Sequence, residues 1–324
     1  MAYPLNDMQA ACVDHGDGPL LVLAGAGSGK TGVIVNRIVR LMKRGLKPSA
    51  ICAVTFTNKA AREMRERVRE LVGKNPRGIF IGTFHSLGLM ILRENSEKAG
   101  VGKNFSIMGQ DDQLTLAREV LVQSGVDTDM FDEKKLIKAI SDWKNSGEAM
   151  SDYFADDIWR LRVPQRPITE IVDTYVGRIA GMNALDFDDL ILIPERLLRN
   201  DNEVREGYRE RFSHFLADEF QDTNPLQFRF LSQLMREPFN LCAVGDDDQS
   251  IYSWRGADTR IMLEFKERFP EADIIALEQN YRSDQYILDI ANKLIENNTA
   301  RHPKRLFSER RTPNRAIVFE AADG

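Results

Sequence analysis

The segment AGAGSGKT at 24–31, directly after the apolar run LLVLA at 20–24, constrains this chain more than any other feature. Gly25, Gly27 and Gly29 let the backbone curl so that successive N–H groups face one point. An amphipathic pattern follows to about Lys43, so the turn opens a helix whose N-terminus favours anions. The spacing is that of a P-loop, G-x-x-x-x-G-K-[ST], with Ala24 at the first position. In such a loop Ala24, Gly25, Ala26, Gly27, Ser28 and Gly29 wrap the phosphates of ATP. Lys30 reaches the β- and γ-phosphates, and the Thr31 hydroxyl binds Mg²⁺. A glycine-rich turn without a ligand is the bland alternative, and it does not require Gly-Lys-Thr at a strand–helix junction.

Further short apolar runs extend the frame. ICAVTF (51–56) and IFIGT (79–83) read as strands, and Asn58 is placed to cap a helix from Lys59 to Val72. Strand signals return at HFLAD (214–218), NLCAV (240–244) and DIIAL (273–277), and a helix is expected over about 284–298. AIVF (316–319) is one more strand-like run. Strand–helix alternation of this kind predicts an α/β fold with a parallel sheet. Between 83 and 214 helical periodicity dominates, and about 130 residues are too many for one crossover. A helical domain inserted into the α/β domain is therefore expected.

A P-loop needs a carboxylate for the metal and a group to act on water. DEFQD at 218–222 ends an apolar run and offers both. Asp218 suits Mg²⁺, and Glu219 suits the general base. The net charge of −5 argues weakly against a nucleic-acid partner, but the distribution does not. Residues 31–80 hold 12 Lys/Arg against three acids, and residues 301–315 hold six against one. Residues 109–160 reverse this, with 12 acids and six bases. Local patches govern binding. Three scattered cysteines and four scattered histidines suggest neither disulfides nor zinc. With no signal-like start and no membrane-length apolar run, a cytoplasmic setting is expected.

Several motifs in order then give a resemblance that covers nearly the whole chain. The sequence resembles the N-terminal half of superfamily 1A DNA helicases of the Rep, UvrD and PcrA type. LNDMQ (5–9) resembles the Q motif, AGAGSGKT motif I, TFTNKAA (55–61) motif Ia and GTFHS (82–86) motif Ib. DEFQD resembles motif II, GDDDQSIYSWRGA (245–257) motif III and QNYRS (279–283) motif IV. The resemblance implies a RecA-like sheet with a helical insertion and the start of a second RecA-like domain. It divides the chain into motor domain 1A (1–85 and 186–275), insertion 1B (86–185) and the opening of domain 2A (276–324).

By the same resemblance Gln9 would read the adenine edge and Tyr281 would stack on the base. Gln249 would sense the γ-phosphate, and Arg282 would act as an arginine finger. Phe56, Asn58, His85, Tyr252, Trp254 and Arg255 would line a single-stranded DNA channel. For some of these the residues allow another role. Tyr252 and Trp254 alternate and could both enter a core if they lay on a strand, His85 could be a structural donor, and Arg282 could form a surface salt bridge. Two departures from the family pattern stand out. Gly32 occupies a position where an arginine is usual, and no counterpart of motifs V and VI follows motif IV.

The implied activity is ATP-driven 3′→5′ movement on single-stranded DNA beside a duplex junction, with unwinding expected to be poor for these residues alone. A non-enzymatic, ATP-gated DNA-binding fragment or subunit is the alternative. An unrelated P-loop kinase would leave the Tyr252/Trp254 segment unexplained.

Overall fold

The computed structural model describes residues 4–73, 76–163 and 166–311; the run at 316–319 lies outside them. The strands are β1 (Leu20–Ala24), β2 (Ile51–Thr55), β3 (Phe80–Thr83), β4 (Ser106–Ile107), β5 (Ala184–Leu185), β6 (His214–Ala217), β7 (Leu241–Gly245) and β8 (Asp273–Leu277). Six of them form one sheet in the order β3-β2-β6-β7-β1-β8. Every pairing in it is parallel, for example Leu21 beside Ala243 on one side and Ile274 on the other. Strands β1, β2 and β7 are buried at every position. That is why they read as unbroken apolar runs rather than alternating ones.

Alternation survives in where the side chains go. Leu20, Val22 and Ala24 join one core with Val33, Ile34 and Ile38 of helix α2 (Lys30–Lys43) and Met64 of helix α3 (Asn58–Val72). Helix α1 (Asp7–Asp14) adds Cys12 to that layer. Leu21 and Leu23 join the opposite core with Leu87 and Ile91 of helix α4 (Phe84–Glu94) and with the helices Asp189–Asn200 and Pro225–Leu234. A period of two splits each strand between two helical layers.

Helix α3 corrects one expectation. Asn58 is its first residue, and the cap is Thr57, whose extended backbone lets Oγ1 accept from the Ala60 N–H at 3.1 Å. A side-chain oxygen one position before the first turn reaches the N3 donor, whereas one inside the turn points away from it.

Between β3 and β6 lies the helical insertion. Helices α5 (Gln110–Gln123), α6 (Glu133–Ser146) and Ile168–Gly181 share a core of their own around Leu116, Leu136, Ile140, Ile171 and Tyr175. The short strands β4 and β5 pair in parallel, and Ala184 of β5 joins this core. Helix α4 instead packs under the sheet. At the other end β8 runs to Leu277 as the edge strand beside β1.

Candidate nucleotide and nucleic-acid site

In an all-parallel sheet the C-terminal ends of the strands share one edge, and ligands bind in the crevices there. Each loop leaving that edge carries one of the sequence motifs. After β1, Gly27 (φ 73°) and Gly29 (φ 87°) adopt the left-handed backbone that the curl requires. Ser28 folds inward, its hydroxyl donating to the Gly25 carbonyl at 2.7 Å. No side chain caps α2, which leaves its first-turn N–H groups available to an external acceptor.

The Lys30 ammonium donates to Glu219 Oε2 at 3.1 Å. Glu219 sits just beyond β6 at φ 52°, a conformation costly for a non-glycine residue and one that aims its side chain into the cleft. Gln221 donates to the same carboxylate oxygen at 2.9 Å. Asp218 is buried beside it. Burial, then the neighbouring Glu219 charge, pushes its carboxyl up to about 6 against the opposing pull of Lys30. A cation in the cleft would relieve both effects. Asp222 is likewise raised to about 6, by burial and then Glu219.

Gln9 and Tyr281 flank the P-loop from either end of the chain. The Gln9 side chain donates to the Ser28 carbonyl at 2.8 Å and accepts from the Asn6 N–H at 3.0 Å, so both ends of its amide already have protein partners. Asn6 donates onward to the Tyr281 hydroxyl at 2.8 Å. The Tyr281 N–H donates to the Gly27 carbonyl at 2.9 Å, and the Arg282 N–H to Asn280 Oδ1 at 2.8 Å. Asn280 in turn donates to the Ala26 carbonyl. A Cβ on Gly27 would lie 2.7 Å from that of Arg282. The segment 280–282 is thus held against the phosphate loop.

After β7, the Gln249 side chain donates to Asp246 Oδ2, and the Asp246 N–H donates to Gln221 Oε1 at 3.0 Å. A hydrogen-bonded chain therefore runs Lys30–Glu219–Gln221–Asp246–Gln249. Tyr252 and Trp254 follow on irregular backbone and a 3-10 turn (Ser253–Arg255) rather than a strand, and Trp254 is 64% exposed. The Tyr252 ring stacks on Phe56, centroids 5.1 Å apart, and lies 6.2 Å from Trp254. Asn58 is exposed at the start of α3. His85 stacks on Phe187 at 3.8 Å. Burial lowers the His85 imidazole to about 4, so it is neutral at physiological pH. The side chain of Arg255 lies outside the described residues.

Sequence reasoning missed four residues that the fold draws in: Gln221 and Asn280, which join loops, Asn6, and Phe187, a 55% exposed aromatic. The first three lie inside motif segments. Phe187, in the run DFDDL, had only its aromatic character to mark it.

A parallel sheet with a glycine-rich loop and Gly-Lys-Thr after its first strand, facing an acidic pair two strands away, defines a P-loop NTPase fold. Comparison with known proteins narrows the class. The chain belongs to the family described as UvrD/REP helicase N-terminal domain, whose model matches residues 5–270. It is 40% identical over 318 residues to the ATP-dependent DNA helicase PcrA of Staphylococcus aureus strain Mu50, covering 98% of this chain and 43% of that protein. To PcrA of Bacillus subtilis strain 168 it is 41% identical over 312 residues, covering 94% of this chain and 41% of the relative. The chain thus spans about two-fifths of the length of these relatives. Among the described residues, no helix is long and apolar enough to cross a membrane.

Proposed function

We propose that this chain forms the nucleotide-hydrolysing part of an ATP-dependent DNA helicase that moves 3′→5′ on single-stranded DNA beside a duplex junction, in the cytosol. The observation that carries the reading is the chain of hydrogen bonds from Lys30 through Glu219, Gln221 and Asp246 to Gln249, three residues before the Tyr252/Trp254 aromatics. It gives phosphate chemistry and base stacking a shared set of bonds. The similarity to ATP-dependent DNA helicases supports the substrate classes.

Lys30 rests on Glu219 and would exchange that carboxylate for the β- and γ-phosphates, freeing Glu219 to take a proton from the attacking water. Residues 24–29 would wrap the phosphates, Arg282 would offset charge developing on them, and Tyr281 would stack on the base. Gln9 would read the adenine edge by exchanging its bond to Ser28. The buried, raised carboxyl of Asp218 and the Thr31 hydroxyl fit Mg²⁺, which would draw charge from the phosphates when bound. Phe56, Asn58, His85, Tyr252, Trp254 and Arg255, joined by Phe187, would line the strand channel. We divide the chain into motor domain 1A (1–85 and 186–275), insertion 1B (86–185) and the start of 2A (276–324).

The test is ATP hydrolysis with and without single-stranded DNA. Stimulation by DNA is expected, with Lys30→Ala or Glu219→Gln reducing turnover by at least about 100-fold. Near-normal turnover in either variant refutes the assignment. The helix Gln285–Ile295 exposes Ile287, Ile290 and Leu294, an apolar stripe without cover among the described residues. A face open to a partner suits a second reading, in which the chain is a fragment or subunit acting as a non-enzymatic ATP-gated DNA-binding module. That reading predicts nucleotide and DNA binding with no hydrolysis in the same assay.

A further inference from the structure

The loop after β7 gathers the carboxylates of Asp246, Asp247 and Asp248 within 4.8 Å of one another. Three such charges repel unless a cation joins them. The cation comes from far along the chain: the Lys304 ammonium, 3% exposed, is bonded to Asp247 and lies 2.9 Å from Asp246 and 2.7 Å from Asp248. Arg301 grips Asp248 with two nitrogens at 2.7 and 2.9 Å, and the His302 N–H donates to Asp247 at 2.6 Å. Two residues beyond Lys304, the Leu306 side chain fills the space that a Cβ on Gly25 would need. The Asn280 N–H donates to the Phe307 carbonyl at 2.7 Å. One short segment, 301–307, therefore straps together the phosphate loop, the loop after β7 and the loop after β8.

The strap meets the phosphate chemistry at Asp246. One of its carboxylate oxygens faces Lys304 and also accepts from the Asp248 N–H at 3.2 Å, and the other accepts from Gln249. We propose that Lys304 is a positioning residue, which shares Asp246 with Gln249 and thereby sets how readily Gln249 leaves for a bound nucleotide. With Lys304 in place, Asp246 keeps a charged partner when Gln249 departs. Without it, departure leaves a buried carboxylate to the neutral Asp248 N–H with no charged partner, so Gln249 stays where it is. Because the same loop leads into Tyr252 and Trp254, holding Gln249 in place would uncouple DNA binding from nucleotide binding. The inference rests on the nucleotide reading of the P-loop.

The experiment measures the affinity of the full chain for a fluorescent oligo-dT strand with and without a non-hydrolysable ATP analogue, and the affinity for the analogue alone. The ratio of the two DNA affinities is the coupling factor, expected at about fivefold or more for the unaltered protein. Lys304→Met should bring it to within about twofold of one, with each ligand's separate affinity within about twofold of normal. Lys304→Arg, which keeps the charge, should retain coupling. Should Lys304→Met fail to fold in a thermal melt, Arg301→Gln at the rim of the cluster decides, with a reduced factor expected. A normal coupling factor in a folded variant overturns the inference and leaves the nucleotide reading intact, as does loss of both separate affinities. If the unaltered chain binds no nucleotide, the P-loop reading fails and this inference falls with it.

Discussion

At the scale of single residues, glycines separate into those the fold needs and those it tolerates. Gly27 has a left-handed backbone, and a side chain there would strike Arg282 and Asn280. Gly27→Ala should cost about 1–2 kcal/mol from backbone strain alone, and more from the clash. Gly32 lies inside α2, where an added methyl group would meet nothing within 4 Å. Gly32→Ala should therefore stabilise the protein by about 0.5–1 kcal/mol, since alanine is the better helix former. Urea melts of the two variants should shift in opposite directions, and a shared direction would contradict the distinction between the two sites. The need for glycine at 27 and 29 was legible because a dihedral constraint is local, whereas at Gly25 the Leu306 side chain, far along the chain, takes the space of a Cβ. The partners of Gln9 were legible only in part. Its bond from the Asn6 N–H belongs to a capping box set by a three-residue spacing, whereas its bond to Ser28 exists because α1 packs beside the phosphate loop.

At the scale of elements, the loop after β7 illustrates what a residue pattern leaves open. Tyr252 and Trp254 alternate as strand residues do, yet they sit on irregular backbone with Trp254 largely exposed. Alternation gives a common face only on extended backbone, and this segment is not extended. Because Trp254 is exposed, Trp254→Ala should leave the melting temperature within about 2 °C of normal, as surface substitutions commonly do. DNA affinity should fall by about 1–3 kcal/mol, the worth of one stacked base. Titration with a labelled oligonucleotide checks this, and unchanged affinity would remove Trp254 from the strand channel. The cap of α3 shows the same limit at smaller size. Thr57 and Asn58 are both good capping residues, and only the backbone angles at Thr57 select between them.

At the scale of the whole molecule, the helical insertion is joined to the sheet domain by buried charge. Lys144, near the end of α6, lies 2.6 Å from both Asp186 and Asp189, the latter being the first residue of the helix Asp189–Asn200 that packs under the sheet. Burial alone would lower the Lys144 ammonium, but the two carboxylates outweigh it and hold it above its ordinary value. Lys144→Met should destabilise the protein by about 3–5 kcal/mol, because it leaves two buried carboxylates without their cation. A denaturation midpoint near normal would show that the joint carries little of the stability. The acidic total of the sequence also reads differently in the fold. Asp246, Asp247 and Asp248 are paired internally with Lys304 and Arg301, so these three acids and two bases together carry one unit of the net charge of −5, and two cations of the basic stretch 301–315 face inward.

Apolar runs, glycine dihedrals and strand–helix punctuation act over a few residues, so the six strands of the large sheet, the phosphate loop and the acidic pair follow from the amino-acid order alone, whereas the two-residue strands β4 and β5 do not. Which of these meet is a matter for the folded chain. The sheet order β3-β2-β6-β7-β1-β8 departs from chain order, so strands distant in sequence become neighbours and their loops share one edge. That order brings Lys30 to Glu219, and the packing built on it brings His85 to Phe187 and Lys304 to Asp246. Such contacts join residues far apart in the chain, and their energy depends on burial and mutual distance, which exist only once the chain has folded.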